Sequence, residues 1–343
     1  MTVIIINTPY HLSQLTKLVN EIKIDNDIVI FYGQNIDNES ILSNFPKAKL
    51  VNLPAFKISY SAFLKSPISL INSYRNVSKQ YSSIVYSSLK NVQSVSNMIL
   101  FSSKDVFTQI LLNYTEKKKL QPHVIAIDEG IAYYVKNNFN DYLKKIIYFV
   151  LTPLIFGFRY TFYKTANAEH PLIKTVYARL PEMMVRRKGV EYIKIKTTQN
   201  CANREIQKSN KILVLTGPFS EDALISINEE SQMFQNLFDE LNKLDVEIYV
   251  KAHPRENTYK YQKFENLKYL NQKMLAEEID FFEYEKIVQF GSSIIFNLLT
   301  IDYPKKRIYT IFLIKQKELR VFFEGTNCKF DRNLFGFFTE DNE

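Results

Sequence analysis

The stretch Glu247-Ile248-Tyr249-Val250-Lys251-Ala252-His253-Pro254-Arg255 carries the first reading of the fold. Ile248–Val250 has the β-branched and aromatic composition of a strand. Pro254 cannot donate to a sheet ladder, so the strand ends in a polar tip of Lys251, His253 and Arg255. If strand geometry persisted through the tip, these alternate residues would project from one side. An imidazole between two permanent cations suits a departing phosphate: His253 could donate a hydrogen bond or a proton while the cations hold the charge. The same strand-then-polar-tip layout recurs at Asp128-Glu129-Gly130, at Gly217-Pro218-Phe219-Ser220-Glu221-Asp222 and at Gly291-Ser292-Ser293.

Working outward, further short apolar runs alternate with helical stretches. In the first half, strands are expected at Val3–Asn7, Asp27–Tyr32, Lys49–Leu53, Ser83–Ser87 and His123–Ile127. Helices are expected after Asn7-Thr8-Pro9-Tyr10, over Ile68–Tyr81 and around Val106–Tyr114. In the second half the pattern restarts with strands at Lys211–Thr216, Leu267–Leu270, Lys286–Phe290 and Arg307–Phe312, and helices over Ala223–Leu244, Ala276–Tyr284 and Ile294–Leu299. Strands alternating with helices predict parallel sheets and an α/β fold. In such sheets ligands bind beyond the carboxyl ends of the strands, where the polar tips fall.

The 343 residues exceed one typical core. The polar stretch Lys196–Ser209, without apolar periodicity, reads as a linker. The expected organisation is an N-terminal domain over 1–200, a C-terminal domain over 201–325 and a tail over 326–343 that folds back on the first domain. At 46% hydrophobic and 23% charged residues the composition is globular. The formal charge of +8, with clusters at Lys117–Lys119, Lys144–Lys145 and Arg186–Lys188, suits nucleic acid, an anionic lipid surface or an anionic small molecule; a solvated basic face is the ordinary alternative. Cys201 and Cys328 fit neither a disulfide framework nor a metal spacing and point to a reducing compartment. No signal-peptide pattern opens the chain, and Ile146–Phe158, broken by Thr152, Pro153 and Gly157, falls short of a membrane span. Asp141–Phe158 is basic and aromatic enough to lie on a membrane surface, or to pack as a core helix. Neither a glycine-rich dinucleotide fingerprint nor a phosphate loop is present.

The individual tips each have two readings. Asp128 either serves chemistry or caps the next helix. Ser292 and Ser293 either present helix N–H groups to an anion or act as an ordinary N-cap. Asp25-Asn26-Asp27 opens a strand and reads as a turn, not as a metal site.

In order along the chain, these motifs resemble bacterial sialyltransferases of the GT-B fold. Asp128-Glu129-Gly130 is similar to their acidic-acidic-glycine motif, His253-Pro254 to their His-Pro motif and Ser292-Ser293 to their serine motif. The added Arg255 and the opening Asn7-Thr8-Pro9-Tyr10-His11-Leu12 resemble the lipooligosaccharide sialyltransferases of glycosyltransferase family 52. Related capsular polysialyltransferases share the acidic motif. The resemblance implies two Rossmann-like domains facing each other across a cleft, with acceptor on the first and CMP-sugar on the second. It makes His253 the general acid or phosphate stabiliser, and it assigns Ser292 and Ser293 to the CMP phosphate and Glu277, with Glu278 close behind, to the ribose. Gly217, Pro218, Lys251, Pro254, Arg255 and Gly291 complete the expected donor side, and Tyr10, Glu129, Gly130 and Glu221 the acceptor side. The base is Asp222 by the family 52 pattern and Asp128 by the polysialyltransferase pattern.

The implied reaction is inverting, metal-independent transfer of sialic acid from CMP-sialic acid to a terminal sugar, galactose by preference, of lipooligosaccharide, O-antigen or capsule. The implied place is the cytoplasm or the inner membrane surface, with no nucleic-acid partner. The alternatives are another donor, CMP-Kdo or a UDP-hexose, or a non-catalytic glycan- or nucleotide-binding protein on the same scaffold.

Overall fold

The computed structural model describes residues 1–33, 36–55, 67–103, 105–130, 133–134, 152–153, 156–158, 170–195, 209–290, 294–301, 303–311 and 329–331. The chain divides into two compact units, Met1–Lys196 and Thr197–Glu343.

The first unit is built on a seven-stranded sheet: β1 (Thr2–Ile6), β2 (Ile28–Tyr32), β3 (Lys49–Asn52), β4 (Asn97–Leu100), β5 (His123–Ile127), β6 (Ile173–Ala178) and β7 (Glu191–Lys194). All pairs are parallel and the order is β3-β2-β1-β4-β5-β6-β7. β1 and β2 are buried at every position, as expected of strands covered on both faces. The connecting helices include α1 (Pro9–Leu18), α2 (Asn38–Asn44), α3 (Pro67–Leu89) and α4 (Val106–Lys117). Ile4, Ile6, Leu15, Ile30, Ile99 and Ile125 form one core cluster, each burying an apolar side chain worth about 1.5–3 kcal/mol.

The second unit repeats the plan with β8 (Lys211–Leu215), β9 (Glu247–Lys251), β10 (Leu267–Tyr269), β11 (Lys286–Gln289), β12 (Ile308–Ile311) and β13 (Lys329–Asp331). Their order, β10-β9-β8-β11-β12-β13, is again all parallel. In each unit the strand order reverses beside the first strand, between β1 and β4 and between β8 and β11. Chain connections leave in opposite directions there, which opens a crevice at the carboxyl ends. α5 (Ile227–Leu241) and α6 (Ile294–Thr300) belong to this unit. Ile212, Val214, Phe234, Phe238, Ile248 and Val288 make its core.

Several expectations are corrected. Ser83–Ser87 is not a strand; it continues α3, because Ser78, Tyr81, Val85 and Leu89 keep the buried face in helical period. The strand before α4 is instead Asn97–Leu100, and β6 and β7 were not anticipated. The helix expected over Ala223–Leu244 begins only at Ile227. Ala223 adopts a left-handed φ of 54°, and Ser226 closes a reciprocal capping box with Glu229. The stretch Ala276–Tyr284 is two short 3-10 turns, interrupted where the Asp280 carboxylate accepts the Phe282 N–H at 3.2 Å. Residues 329–331 of the tail add an edge strand beside β12 in the second unit. Most of the linker 196–209, most of 141–158 and most of the tail lie outside the described residues.

Candidate active site

In the second unit, β9 ends at Lys251 and the chain turns at once. Glu256 N–H donates to the His253 carbonyl at 3.0 Å, closing a turn over Pro254 and Arg255. Because strand geometry stops at Lys251, the three tip residues do not share one side. The Lys251 side chain turns inward, is 4% exposed, and donates to the carbonyls of Ala252 (2.8 Å) and Gln272 (3.2 Å). Burial lowers its pKa, with Glu256, Glu277 and Glu278 opposing. Lys251 therefore supports the loop from inside and is not a surface cation for phosphate.

His253 is half-buried. Its Nδ1 accepts the Arg255 backbone N–H at 3.2 Å, so the ring proton of the neutral imidazole sits on Nε2. Burial and then the neighbouring Arg255 lower its pKa below the ordinary histidine value. The neutral ring thus offers a fixed N–H donor.

Arg255 grips Asp222 with two bonds, Nη1 to Oδ1 at 2.7 Å and Nη2 to Oδ2 at 3.0 Å. Both carboxylate oxygens of Asp222 are thereby engaged by the guanidinium. The neighbouring Glu221 accepts the Asn257 N–H at 2.8 Å and an ion pair from Lys260 at 3.3 Å. Burial pushes the Glu221 pKa up, but those donors outweigh it and the net shift is downward. Gly217 and Pro218 shape the turn after β8: their carbonyls accept the N–H groups of Phe219 (2.9 Å) and Asp222 (2.8 Å). Glu277, on the first of the two 3-10 turns, accepts Asn297 of α6 at 3.0 Å. Gly291, Ser292 and Ser293, between β11 and α6, lie outside the described residues.

In the first unit, Thr8 caps α1 and Pro9 opens it, which places Tyr10 and His11 on its first turn beyond β1. Gly33 lies against this loop: a Cβ there would stand 3.0 Å from the Asn7 carbonyl oxygen. The His11 ring is buried and stacks on Phe101 at 4.1 Å with 4° between planes. Its Nδ1 accepts the Asn7 N–H at 3.1 Å, and Nε2 lies 3.3 Å from Oε2 of Glu129. His11 therefore directs its one proton at Glu129 and orients that carboxylate.

The neighbouring acid behaves differently. Asp128 is fully buried. It pairs with Arg179 (Nε to Oδ2 3.0 Å, Nη2 to Oδ1 3.2 Å), takes the Gly130 N–H at 2.7 Å, and accepts the Tyr134 hydroxyl. Gly130, with φ 135°, is the residue that lets the chain fold back onto Asp128. Burial disfavours the Arg179 charge, but Asp128 more than offsets this and the pKa is raised. Arg179 also lies over the Tyr10 ring, 5.8 Å from its centroid. Asp128 thus belongs to a closed, buried ion pair with Arg179. Glu129, with 24% of its side chain exposed, is the acid of this motif that meets solvent. Of the two adjacent acids in the motif, the structure buries Asp128 and leaves Glu129 partly exposed.

Sequence reasoning missed three residues here. His11 stood in a quoted motif without a role, although its spacing of four from Asn7 was visible. Arg179 follows a strand that was itself missed. Glu256 follows His253 by three, the spacing at which a carboxylate reaches back to a backbone N–H.

Two parallel-sheet units of this strand order, each with polar residues at the strand ends, define the GT-B fold of glycosyltransferases. The calicheamicin glycosyltransferase CalG4 is similar in fold, with a TM-score of 0.56 at 11% identity over 94% of this chain and 82% of that one. A UDP-GlcNAc 2-epimerase from Methanocaldococcus jannaschii, in complex with UDP-GlcNAc and UDP, matches at a TM-score of 0.49 and 12% identity, over 97% of this chain and 94% of that one. The family described as alpha-2,8-polysialyltransferase (POLYST) matches residues 2–299, and the chain belongs to that family. An uncharacterized protein of Haemophilus influenzae (strain ATCC 51907 / DSM 11121 / KW20 / Rd) is 25% identical over 139 residues, 39% of this chain. The match spans 43% of the length of that curated relative.

Proposed function

We propose that the protein is an inverting sialyltransferase that moves sialic acid from CMP-sialic acid to a terminal sugar of a bacterial surface glycan without a divalent metal. The observation that carries this reading is the His253 imidazole, held at the end of β9 with its proton on Nε2. CMP is a leaving group with a single phosphate, and one fixed N–H donor with a nearby guanidinium suits its charge. In the reaction the acceptor hydroxyl oxygen forms a bond to the anomeric carbon as the bond to the phosphate oxygen breaks. The hydroxyl proton passes to a carboxylate, and the phosphate leaves with the electron pair, hydrogen-bonded by His253. Within the first unit Glu129, oriented by His11, is the candidate base. Within the second, His253 is the candidate donor to the phosphate, and the resemblance gives Glu277 the ribose and the serine motif the phosphate. The Arg255 tip favours the family 52 likeness within this reading, and the acidic motif favours the polysialyltransferases.

Among the described residues no helix is long and apolar enough to cross a membrane. A cytoplasmic enzyme meeting its acceptor at the inner membrane surface fits this reading and the +8 charge. The test is CMP release from CMP-sialic acid with a galactose-terminated or a sialic-acid-terminated oligosaccharide, beside CMP-Kdo and UDP-hexoses. Acceptor-dependent release from CMP-sialic acid alone is expected. Turnover only with a UDP-sugar would overturn the donor assignment.

A further inference from the structure

Glu256 is the most heavily engaged carboxylate near the His253 loop, and nothing in the proposed chemistry uses it. It is 6% exposed. Oε2 accepts the Thr216 hydroxyl at 2.6 Å and the His253 backbone N–H at 2.5 Å. Oε1 accepts the Tyr261 hydroxyl at 2.5 Å and lies 2.9 Å from Nζ of Lys260. Two donors on each oxygen fill the acceptor capacity of a carboxylate, so Glu256 has no lone pair to spare for a substrate.

The four donors come from three places in the unit. Thr216 follows β8 in the switch-point loop; Lys260 and Tyr261 lie on the 3-10 turn Thr258–Tyr261; His253 is the candidate donor to phosphate. Lys260 is itself held by Glu230 of α5 at 2.7 Å and by Glu221 at 3.3 Å. Burial works against the Lys260 ammonium, but Glu230 and Glu256 more than offset it and its pKa is raised. Gln272 completes the enclosure, its amide donating to the carbonyls of His253 (3.0 Å) and Glu256 (2.8 Å). The turn His253–Glu256 is therefore clasped at both ends. Its carbonyl end is closed by Glu256 N–H and Gln272, and its N–H end by the Glu256 carboxylate. That turn is also what points the Arg255 N–H at Nδ1 of His253.

We infer that Glu256 is a positioning residue: by clasping the His253 N–H to β8 and the 3-10 turn, it holds the imidazole in the tautomer that presents Nε2–H. A site side chain whose rotamer and tautomer are set by buried neighbours needs no reorganisation when its ligand arrives. The consequence for turnover rests on the transferase reading; the consequence for the tautomer does not.

The experiment is nitrogen-15 NMR of the His253 imidazole in the full chain, paired with steady-state kinetics. Wild type should show one neutral tautomer, Nδ1 unprotonated. Glu256→Ala, with a cooperative melt confirming the fold, should show mixed tautomers and a kcat about 10–100-fold lower, with the donor KM within threefold. Glu256→Gln keeps one oxygen for the His253 N–H and should recover most of the single tautomer. If Glu256→Ala fails to fold, Thr216→Val and Tyr261→Phe each remove one donor to Glu256 and should give smaller shifts of the same kind. A folded Glu256→Ala, or both milder variants, retaining the wild-type tautomer would overturn the proposal. Mixed tautomers in the variants, together with a wild type inactive on every CMP-sugar, would leave the positioning role standing and sink the transferase reading.

Discussion

At the scale of single residues, two histidine–neighbour pairs and one buried ion pair sort the candidates. His253→Ala should lower kcat by about 10²–10⁴-fold, while calorimetry shows CMP still binding. Its pH dependence has a definite sign. Burial and Arg255 lower its pKa in the free protein, so a protonated His253 is populated only below about 6.5. A bound phosphate raises that pKa. If the imidazolium is the donor, kcat/KM for CMP-sialic acid should fall as pH rises through a value below about 6.5, while kcat holds to higher pH. Flat kcat/KM from pH 5 to 8 would identify neutral Nε2–H as the working donor instead. The acidic motif gives a second contrast. Asp128→Asn leaves Arg179 buried without its counter-charge and should cost about 3–5 kcal/mol of stability, read by urea unfolding. Glu129→Gln should leave the unfolding midpoint nearly unchanged and lower kcat by about 10²–10⁴-fold. The opposite pattern would return the base to Asp128.

At the scale of elements, the first-unit site depends on how helices begin. Asp105 caps α4, accepting the Thr108 N–H at 2.8 Å. Burial raises its pKa to about 6, against its hydrogen bonds from Thr108, and the charge of Glu129 adds to the rise. A carboxyl that binds its proton more tightly in the folded state contributes stability that is complete below the unfolded value of about 3.9. That contribution is lost as pH climbs through about 6. Wild type should therefore lose stability between pH 4 and 7 from this group. Asp105→Asn keeps a good N-cap and should flatten that slope in urea titrations at several pH values. An unchanged slope would show that Asp105 is ionised throughout.

For the whole molecule, the same strand order appears in both units, and each puts its chemistry-bearing residues at strand carboxyl ends. Among the described residues no group of three or more His, Cys, Asp or Glu is placed to hold a metal ion. On the proposed CMP-sugar reading, transfer is expected to survive EDTA, with CMP release unchanged within about twofold, because hydrogen-bond donors and guanidinium charge serve a monophosphate leaving group. Loss of turnover with EDTA, restored by magnesium or manganese, would require a different donor chemistry. The fold likeness to CalG4 at 11% identity shows that the alternation of buried strands and helices, more than residue identity, specifies this architecture.

Much of this was legible in the chain. Continuous apolar runs such as Val3–Ile6 and Lys211–Leu215 mark buried parallel strands because both faces are covered. Pro254 and the glycines of the polar tips mark where those strands stop, and so the His-Pro and acidic motifs could be placed at strand ends. Tertiary packing decided the rest. Ser82-Ser83-Ile84-Val85-Tyr86 has strand-like composition, yet Tyr81, Val85 and Leu89 find a buried face only as a helix. Asp128 and Glu129 are adjacent and chemically alike. Which one is buried against Arg179 and which meets His11 depends on β6 and α1, which the fold brings together from 51 residues downstream of Asp128 and from the chain's first helix. Lys251 and His253 likewise alternate in sequence but part company in space, because the strand ends between them and the interior has carbonyls for the lysine. Local periodicity is written in the order of residues; burial and the partners of a charge are properties of what the folded chain packs beside it.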